Sequence, residues 1–513
     1  RLVSRWEGLI VNLDGEAERG VTPRAAGQWT HAYGDPGNSA SSGEGLIDGE
    51  VGLRWFGRPG PERIVDRHMR APPPLAGGGY LLVPGRDYLY GLDACNGTVL
   101  WEREIPGFMR VSMLRDCGNL VLDAASKRVF ASAGSKCLIL DLVKGRTVRE
   151  LDAGLEHDWG YLALDRGVLV GSAVPAGGVR REVSKAAIWE GGYGDGKQAV
   201  CSHELFAIDP RTGTRLWNYV PRGAIANPSL CLGDGKVFFL ESRNKDSLPA
   251  NPATLREASA AKRSAGRWSY SELLETAGAD LVALELTTGA ELWREPFPVR
   301  EGGILTFFLS CQDEHLIAVH SRNKTPPVWP EPAGPPAKAI SGPPAKAAPS
   351  RPTLHYDVRV LRTRDGSMNW ERMLNTGRRP NLTHGEQDRH PVVTGGRLIV
   401  EPWVLDVYTG EDLFTSARRG GGGCGSLSAS ANKLFYRASN LAEFDLESRE
   451  QRLVSKAARP GCWINMIPAG GLLLVPEGSS GCICSYPVQA SMAFGPRPAR
   501  EKAPGPALPT GGN

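Results

Sequence analysis

One thirteen-residue pattern recurs three times in this 513-residue chain: LYGLDACNGTVLW at 89–101, LFAIDPRTGTRLW at 205–217 and LVALELTTGAELW at 281–293. In the second copy LFAID alternates, so neighbouring side chains face opposite sides of a strand. Asp209 opens a tight connection in which its carboxylate can accept backbone N–H groups. Gly213 supplies the left-handed conformation that a short hairpin loop needs. TRLW then returns as a second strand ending in an indole. Full burial of Trp217 would remove about 150–250 Å² from water, worth about 4–6 kcal/mol at most. Each copy predicts one hairpin with one heavy anchor: Asp93, Gly97 and Trp101; Asp209, Gly213 and Trp217; Glu285, Gly289 and Trp293.

Degraded copies follow the same grammar. CLILDLVKGRTV keeps Asp141 and Gly145 but loses the tryptophan. VRVLRTRDGSMNW keeps Gly366 and Trp370, with Arg362 in the acidic slot. VLDVYTGEDLF keeps Asp406 and Gly410, with Phe414 for the indole, and LAEFDLESREQRLV keeps Asp445 without the glycine. The shortest step, Asp406 to Asp445, is about 40 residues, the length of a four-stranded unit. Between the hairpins lie further strand candidates: GGYLLVPG before 89, GKVFFLES, HLIAVHS, GRLIVEP and NKLFYRAS. A four-stranded antiparallel blade cannot bury both faces alone, and radial stacking closes such blades into a β-propeller. Seven copies plus a composite blade, joining VGLRWFG at 51–57 to a last strand near YPVQASMAF at 486–494, predict an all-β, eight-bladed propeller; seven blades is the alternative.

The propeller is expected over 29–494, after a linker or the end of an upstream domain at 1–28 and before a disordered tail at 495–513. Three excursions interrupt it: a Gly-rich loop at 171–200, one or two short helices within 244–278, and a Pro/Ala-rich tether at 323–355. Sixty Lys and Arg against 56 Asp and Glu argue against a nucleic-acid binder, which carries a strong basic excess. No apolar run is long enough for a membrane-spanning helix.

The pattern A-(I/L)-D-x-x-T-G-x-x-x-W resembles the repeat of the pyrroloquinoline-quinone (PQQ)-like β-propellers, whose architecture is of the WD40/YVTN repeat type. WTHAYGDPGNSASS (29–42), WFGRPGPERIVDRHMRAPPPL (55–75), HGEQDRHPVV (384–393) and the segment 461–494 look like one bacterial, multi-domain branch of that family. Members of that branch are joined to methyltransferase or c-type haem modules. No methyltransferase glycine motif and no CxxCH is present here, so neither activity carries over. The quinone-dependent alcohol dehydrogenases of the family add a vicinal Cys–Cys disulfide and a calcium site, and this sequence has no CC dipeptide. The resemblance therefore implies a non-catalytic scaffold that binds a protein partner or a small polar ligand at its loops, without PQQ or calcium. The rival is an oxidoreductase or metal-dependent enzyme with its site in the central funnel. Export to the periplasm is implied by the family, and a cytoplasmic location by a methyltransferase fusion.

Three histidine-bearing loops precede early strands of blades: Asp66, Arg67 and His68; His157 and Trp159, beside Glu156 and Asp158; and His384, Glu386, Gln387, Arg389 and His390. Converging at one mouth, they would line one polar funnel able to bind a ligand, hold a metal or move protons. Polar side chains round a wet channel also commonly do no more than satisfy one another. Cys424, Cys462, Cys482 and Cys484 form a second cluster, readable as buried thiols, as a disulfide at the closure of the ring or as a thiolate zinc site.

Overall fold

The computed structural model describes residues 9–11, 17–19, 25–64, 72–110, 118–154, 157–179, 198–247, 267–269, 273–274, 277–299, 304–324, 353–378, 389–416, 419, 425–461, 463–477 and 488–497. They form an eight-bladed β-propeller of antiparallel blades, with a separate hairpin of Leu9–Val11 and Ala17–Arg19. In chain order the blades span 75–104, 120–152, 157–219, 225–297, 304–375, 392–415 and 428–455. The eighth is composite: Ile467–Ala469, Leu472–Val475 and Ser491–Pro496 are completed by Val51–Gly57. Val51 pairs with Pro496, so strands from opposite ends of the propeller close the ring, as the sequence predicts. The first strand of blade 8 lies against that of blade 1.

Burial explains the order of the strands. First strands such as Leu75–Gly77 are wholly buried round the axis, whereas fourth strands such as Val99–Glu104 bury one indole and leave the rest half-buried or exposed. Each acidic corner works as its sequence demands. Asp406 Oδ1 accepts the N–H groups of Tyr408 (2.8 Å) and Thr409 (2.9 Å), and Asp445 Oδ1 those of Glu447 (3.0 Å) and Ser448 (2.8 Å). Gly213 and Gly410 take φ of +80° and +76°. The glycine missing from blade 7 is replaced by Arg449, which adopts φ +60° itself.

The indoles reach further than a single hairpin. Trp101 Nε1 donates to the Leu142 carbonyl of the next blade (2.8 Å), Trp217 to Leu286 (2.9 Å), Trp293 to Thr363 (2.9 Å) and Trp370 to Val407 (2.9 Å). Each ring lies on the corner glycine of the following blade, so closely that a Cβ on Gly289 would stand 2.6 Å from Trp217. Trp55, outside the thirteen-residue copies, does the same from blade 8 to Ala94 of blade 1 (2.8 Å).

All three excursions are partly strands, the tether expected at 323–355 giving its ends to His315–Lys324 and Thr353–Arg362. Residues 171–175 belong to blade 3, and Gln198–Ser202 crosses to blade 4, pairing there with Arg267–Ser269. The Gly-rich loop expected at 171–200 thus ends in a strand. Of the helices expected in 244–278, the described residues contain one 3-10 turn, Lys245–Ser247, and no α-helix. Residues 180–197, 248–266 and 325–352 lie outside the described set, as does the tail after Arg497. The last strand runs to Pro496, just past the expected boundary at 494. Residues 27–28 already touch the propeller, Gly27 O accepting the Gly470 N–H at 3.1 Å and Gln28 standing against Gly77.

Candidate functional site

In an up-and-down blade the first and third turns share one face of the ring, and the second turn and the crossover to the next blade share the other. The Ala94 N–H of one acidic corner accordingly bonds Gly79 O in the first turn of the same blade at 2.9 Å, and Val407 N–H bonds Gly396 O at 3.0 Å. The corner face also holds the entering chain. Residues 27–44 wind once round the axis, meeting the blades in order. Trp29 exchanges N–H···O bonds with Ala76 of blade 1 (2.7 and 2.8 Å), and Thr30 O accepts from Leu122 of blade 2 (3.0 Å). His31 Nε2 accepts the Leu164 N–H of blade 3 at 3.0 Å. Pro36, Gly37, Ser39 and Ala40 carbonyls accept from Leu232, Cys311, Val393 and Ala429 of blades 4 to 7 at 2.7–2.9 Å. Glu44 closes the circuit on blade 8, its carboxylate accepting from Gly471 N (2.8 Å) and Gly27 N (2.9 Å).

Backbone demands explain the segment's composition. A Cβ on Gly37 would stand 2.3 Å from Cys311 O, and Asn38 holds φ +56°. Asn38 Nδ2 then bridges blades 4 and 5, donating to Leu230 O (2.8 Å) and Leu309 O (3.1 Å). This plug is the WTHAYGDPGNSASS stretch. Its low apolar content and small residues are the signal of a chain held by backbone bonds, but nothing periodic in it reveals where it docks.

The described funnel candidates separate. His390 is wholly buried, stacked on Tyr33 of the plug at 3.9 Å and tilted against Phe308 at 4.7 Å. Burial depresses its pKa to about 3, so it is neutral at ordinary pH. His157 packs instead on His203 at 4.8 Å. Trp159 is core: its indole donates to Ser135 O (3.0 Å) and stands edge-on to Phe206. Asp66, Arg67, His68, Glu156, His384, Glu386 and Gln387 lie outside the described residues, as do Cys424, Cys462, Cys482 and Cys484. Among the described residues no group of three or more His, Cys, Asp and Glu stands close enough to hold a metal ion.

Arg389 belongs to a different arrangement, on the loop face between blades 5 and 6. Its Nη1 lies 3.0 Å from Glu401 Oε1. Arg419 grips the same carboxylate, Nε at 3.0–3.2 Å and Nη2 at 2.6 Å, while its Nη1 donates to Gly425 O at 2.7 Å. Burial would raise the Glu401 carboxyl, but the two guanidiniums hold it below the usual carboxylate range. These groups floor a cleft of about 540 Å³, partly open to solvent, with Tyr356, Trp403 and Arg378 on its walls. Sequence reading found Arg389 but not Arg378, Glu401 or Arg419, which are 41 residues apart at most yet on separate loops and strand ends.

Comparison with known proteins agrees with this architecture. The family model described as "Outer membrane protein assembly factor BamB" matches residues 62–236 and 203–401. No curated protein sequence matches the chain. Among solved structures, quinohemoprotein alcohol dehydrogenase from Comamonas testosteroni is similar at TM-score 0.53 and 12% identity, over 92% of this chain and 81% of that one. Quinohemoprotein alcohol dehydrogenase ADHIIG from Pseudomonas putida HK5 gives 0.51 and 11%, over 94% and 82%. BamB from Moraxella catarrhalis gives 0.35 and 15%, over 70% and 79%. At such identities the likeness is one of fold. The chain belongs to the PQQ-repeat β-propeller family whose model is described by the assembly factor BamB.

Proposed function

We propose that this propeller is a non-catalytic binding module that presents its loop face to a protein partner or a small polar ligand. The observation that carries the reading is the plug: residues 27–44 bond to all eight blades and take the corner end of the axis with the chain's own backbone. Recognition is then left to the opposite face. The second strands of blades 3, 4 and 5 end on that same face, at Pro175, Ser242 and Lys324. Action outside the cytoplasm follows from the family's description; no helix among the described residues is long and apolar enough to cross a membrane.

The rival, a quinone- or metal-dependent enzyme, draws on the fold shared with the two alcohol dehydrogenases. Incubating the purified chain with PQQ and calcium, then dialysing, separates the two. The binding reading expects no retained quinone chromophore and no dye-linked alcohol oxidation. Stoichiometric quinone together with turnover would overturn it.

A further inference from the structure

The cleft between blades 5 and 6 is concave, partly open to solvent, and its described lining carries more positive than negative charge. Among its described lining residues Glu401 is the one carboxylate, against Arg378, Arg389 and Arg419. Arg419 is spent on structure, its side chain 1% exposed and its fork divided between Glu401 and Gly425 O. Arg389, itself paired with Glu401, has its side chain 17% exposed, and Arg378 is exposed at the rim with no carboxylate paired to it among the described residues. Beside these two guanidiniums stand Trp403, half-buried, and Tyr356, which give an organic ligand an apolar wall.

Resting on the binding-module reading, we propose that this cleft binds a small organic acid, its carboxylate held by Arg378 and Arg389 and its body laid against Trp403. A guanidinium pair suits a planar carboxylate, which it can meet with parallel N–H···O bonds. Buried Glu401 disfavours a second negative charge on the same group, so a phosphate dianion is the poorer fit.

The test is calorimetric titration of the full chain with D-glucuronate, D-glucose and inorganic phosphate in separate arms. Glucuronate is expected to bind with a dissociation constant of about 1 mM or below, as few contacts allow. Glucose, with the same body and no charge, should bind at least tenfold more weakly, and phosphate likewise. Arg378→Glu should weaken glucuronate at least tenfold. Arg364→Glu, the same charge change on the opposite face, should leave it unaltered. Thermal melts of both variants establish that they are folded, and Arg378→Lys should retain part of the affinity. Equal binding to wild type and R378E, or glucuronate no tighter than glucose, overturns the proposal. Phosphate binding more tightly than glucuronate overturns the carboxylate assignment. None of these failures restores a quinone activity, so the binding-module reading is judged separately by the dialysis experiment.

Discussion

Removing the Asn38 side chain should loosen the plug at its midpoint. The amide gives two hydrogen bonds, to Leu230 O at 2.8 Å and Leu309 O at 3.1 Å, and sits at φ +56°. Asn38→Gly keeps the left-handed backbone at no strain and deletes only the donors. Each carbonyl left without this partner costs about 1–3 kcal/mol, so the variant should lose about 2–6 kcal/mol. Asn38→Ala adds about 1 kcal/mol for a Cβ in the left-handed region. Asn38→Asp, which turns a carboxylate toward two carbonyls, should cost at least as much. The assay is hydrogen exchange, read at the Leu232 and Cys311 amides that bond to Pro36 O and Gly37 O. A local loss of about 3 kcal/mol speeds exchange roughly 100-fold there. If N38G and N38D both exchange like wild type at these amides, the plug is not held as argued.

Three further perturbations probe other parts of the ring. Gly289→Ala places a methyl 2.6 Å from the Trp217 ring at φ +70°, whereas Gly167→Ala, at φ +78°, meets nothing within 4 Å; urea unfolding should show the first costing about 1–3 kcal/mol more than the second. Glu401→Gln leaves the buried Arg419 guanidinium without a counter-charge and should cost about 3–5 kcal/mol, while E401Q with Arg419→Met should recover most of it. His31 and His390 are held near pKa 3 by burial, below their ordinary 6.5, so the stability they lend is lost as pH falls from about 6.5. Half-buried Asp35, raised by desolvation from 3.8 to about 6, acts oppositely: its contribution is present below 3.8 and lost as pH rises through 6. At pH 5 the two histidines cost about 2 kcal/mol each and Asp35 returns about 1.4 kcal/mol, a net loss of about 3 kcal/mol relative to pH 7. Melting temperature should therefore fall between pH 6.5 and 5, and His390→Phe should shrink that fall by about two-thirds; an unchanged slope would contradict the assignment.

The repeat was legible because its physics is local. An acidic side chain, two free N–H groups and a left-handed glycine lie within five residues of one another, so spacing alone predicts the corner. Even the composite blade could be foreseen, since an eighth sheet lacks a fourth strand until Val51–Gly57 supplies it. The same local pattern could not tell which corner each indole covers. Trp101 looks like the end of its own hairpin and is in fact the roof of the next blade's turn, a contact that exists only once the blades stack.

The polar site was harder to read. His157, His390 and Trp159 share loop positions in sequence, and the fold sends them into separate packing environments. Glu401, Arg389 and Arg419 carry no common spacing because they come from the second turn of blade 6 and from the segments that enter and leave it. By itself, then, the sequence determined the hairpin grammar, which follows from interactions among near neighbours, while its count of copies pointed to eight blades closed by Val51–Gly57, with seven as the alternative. The plug's path, the partner of every indole and the basic cleft were decided only by tertiary structure, because they depend on which surfaces face one another after closure.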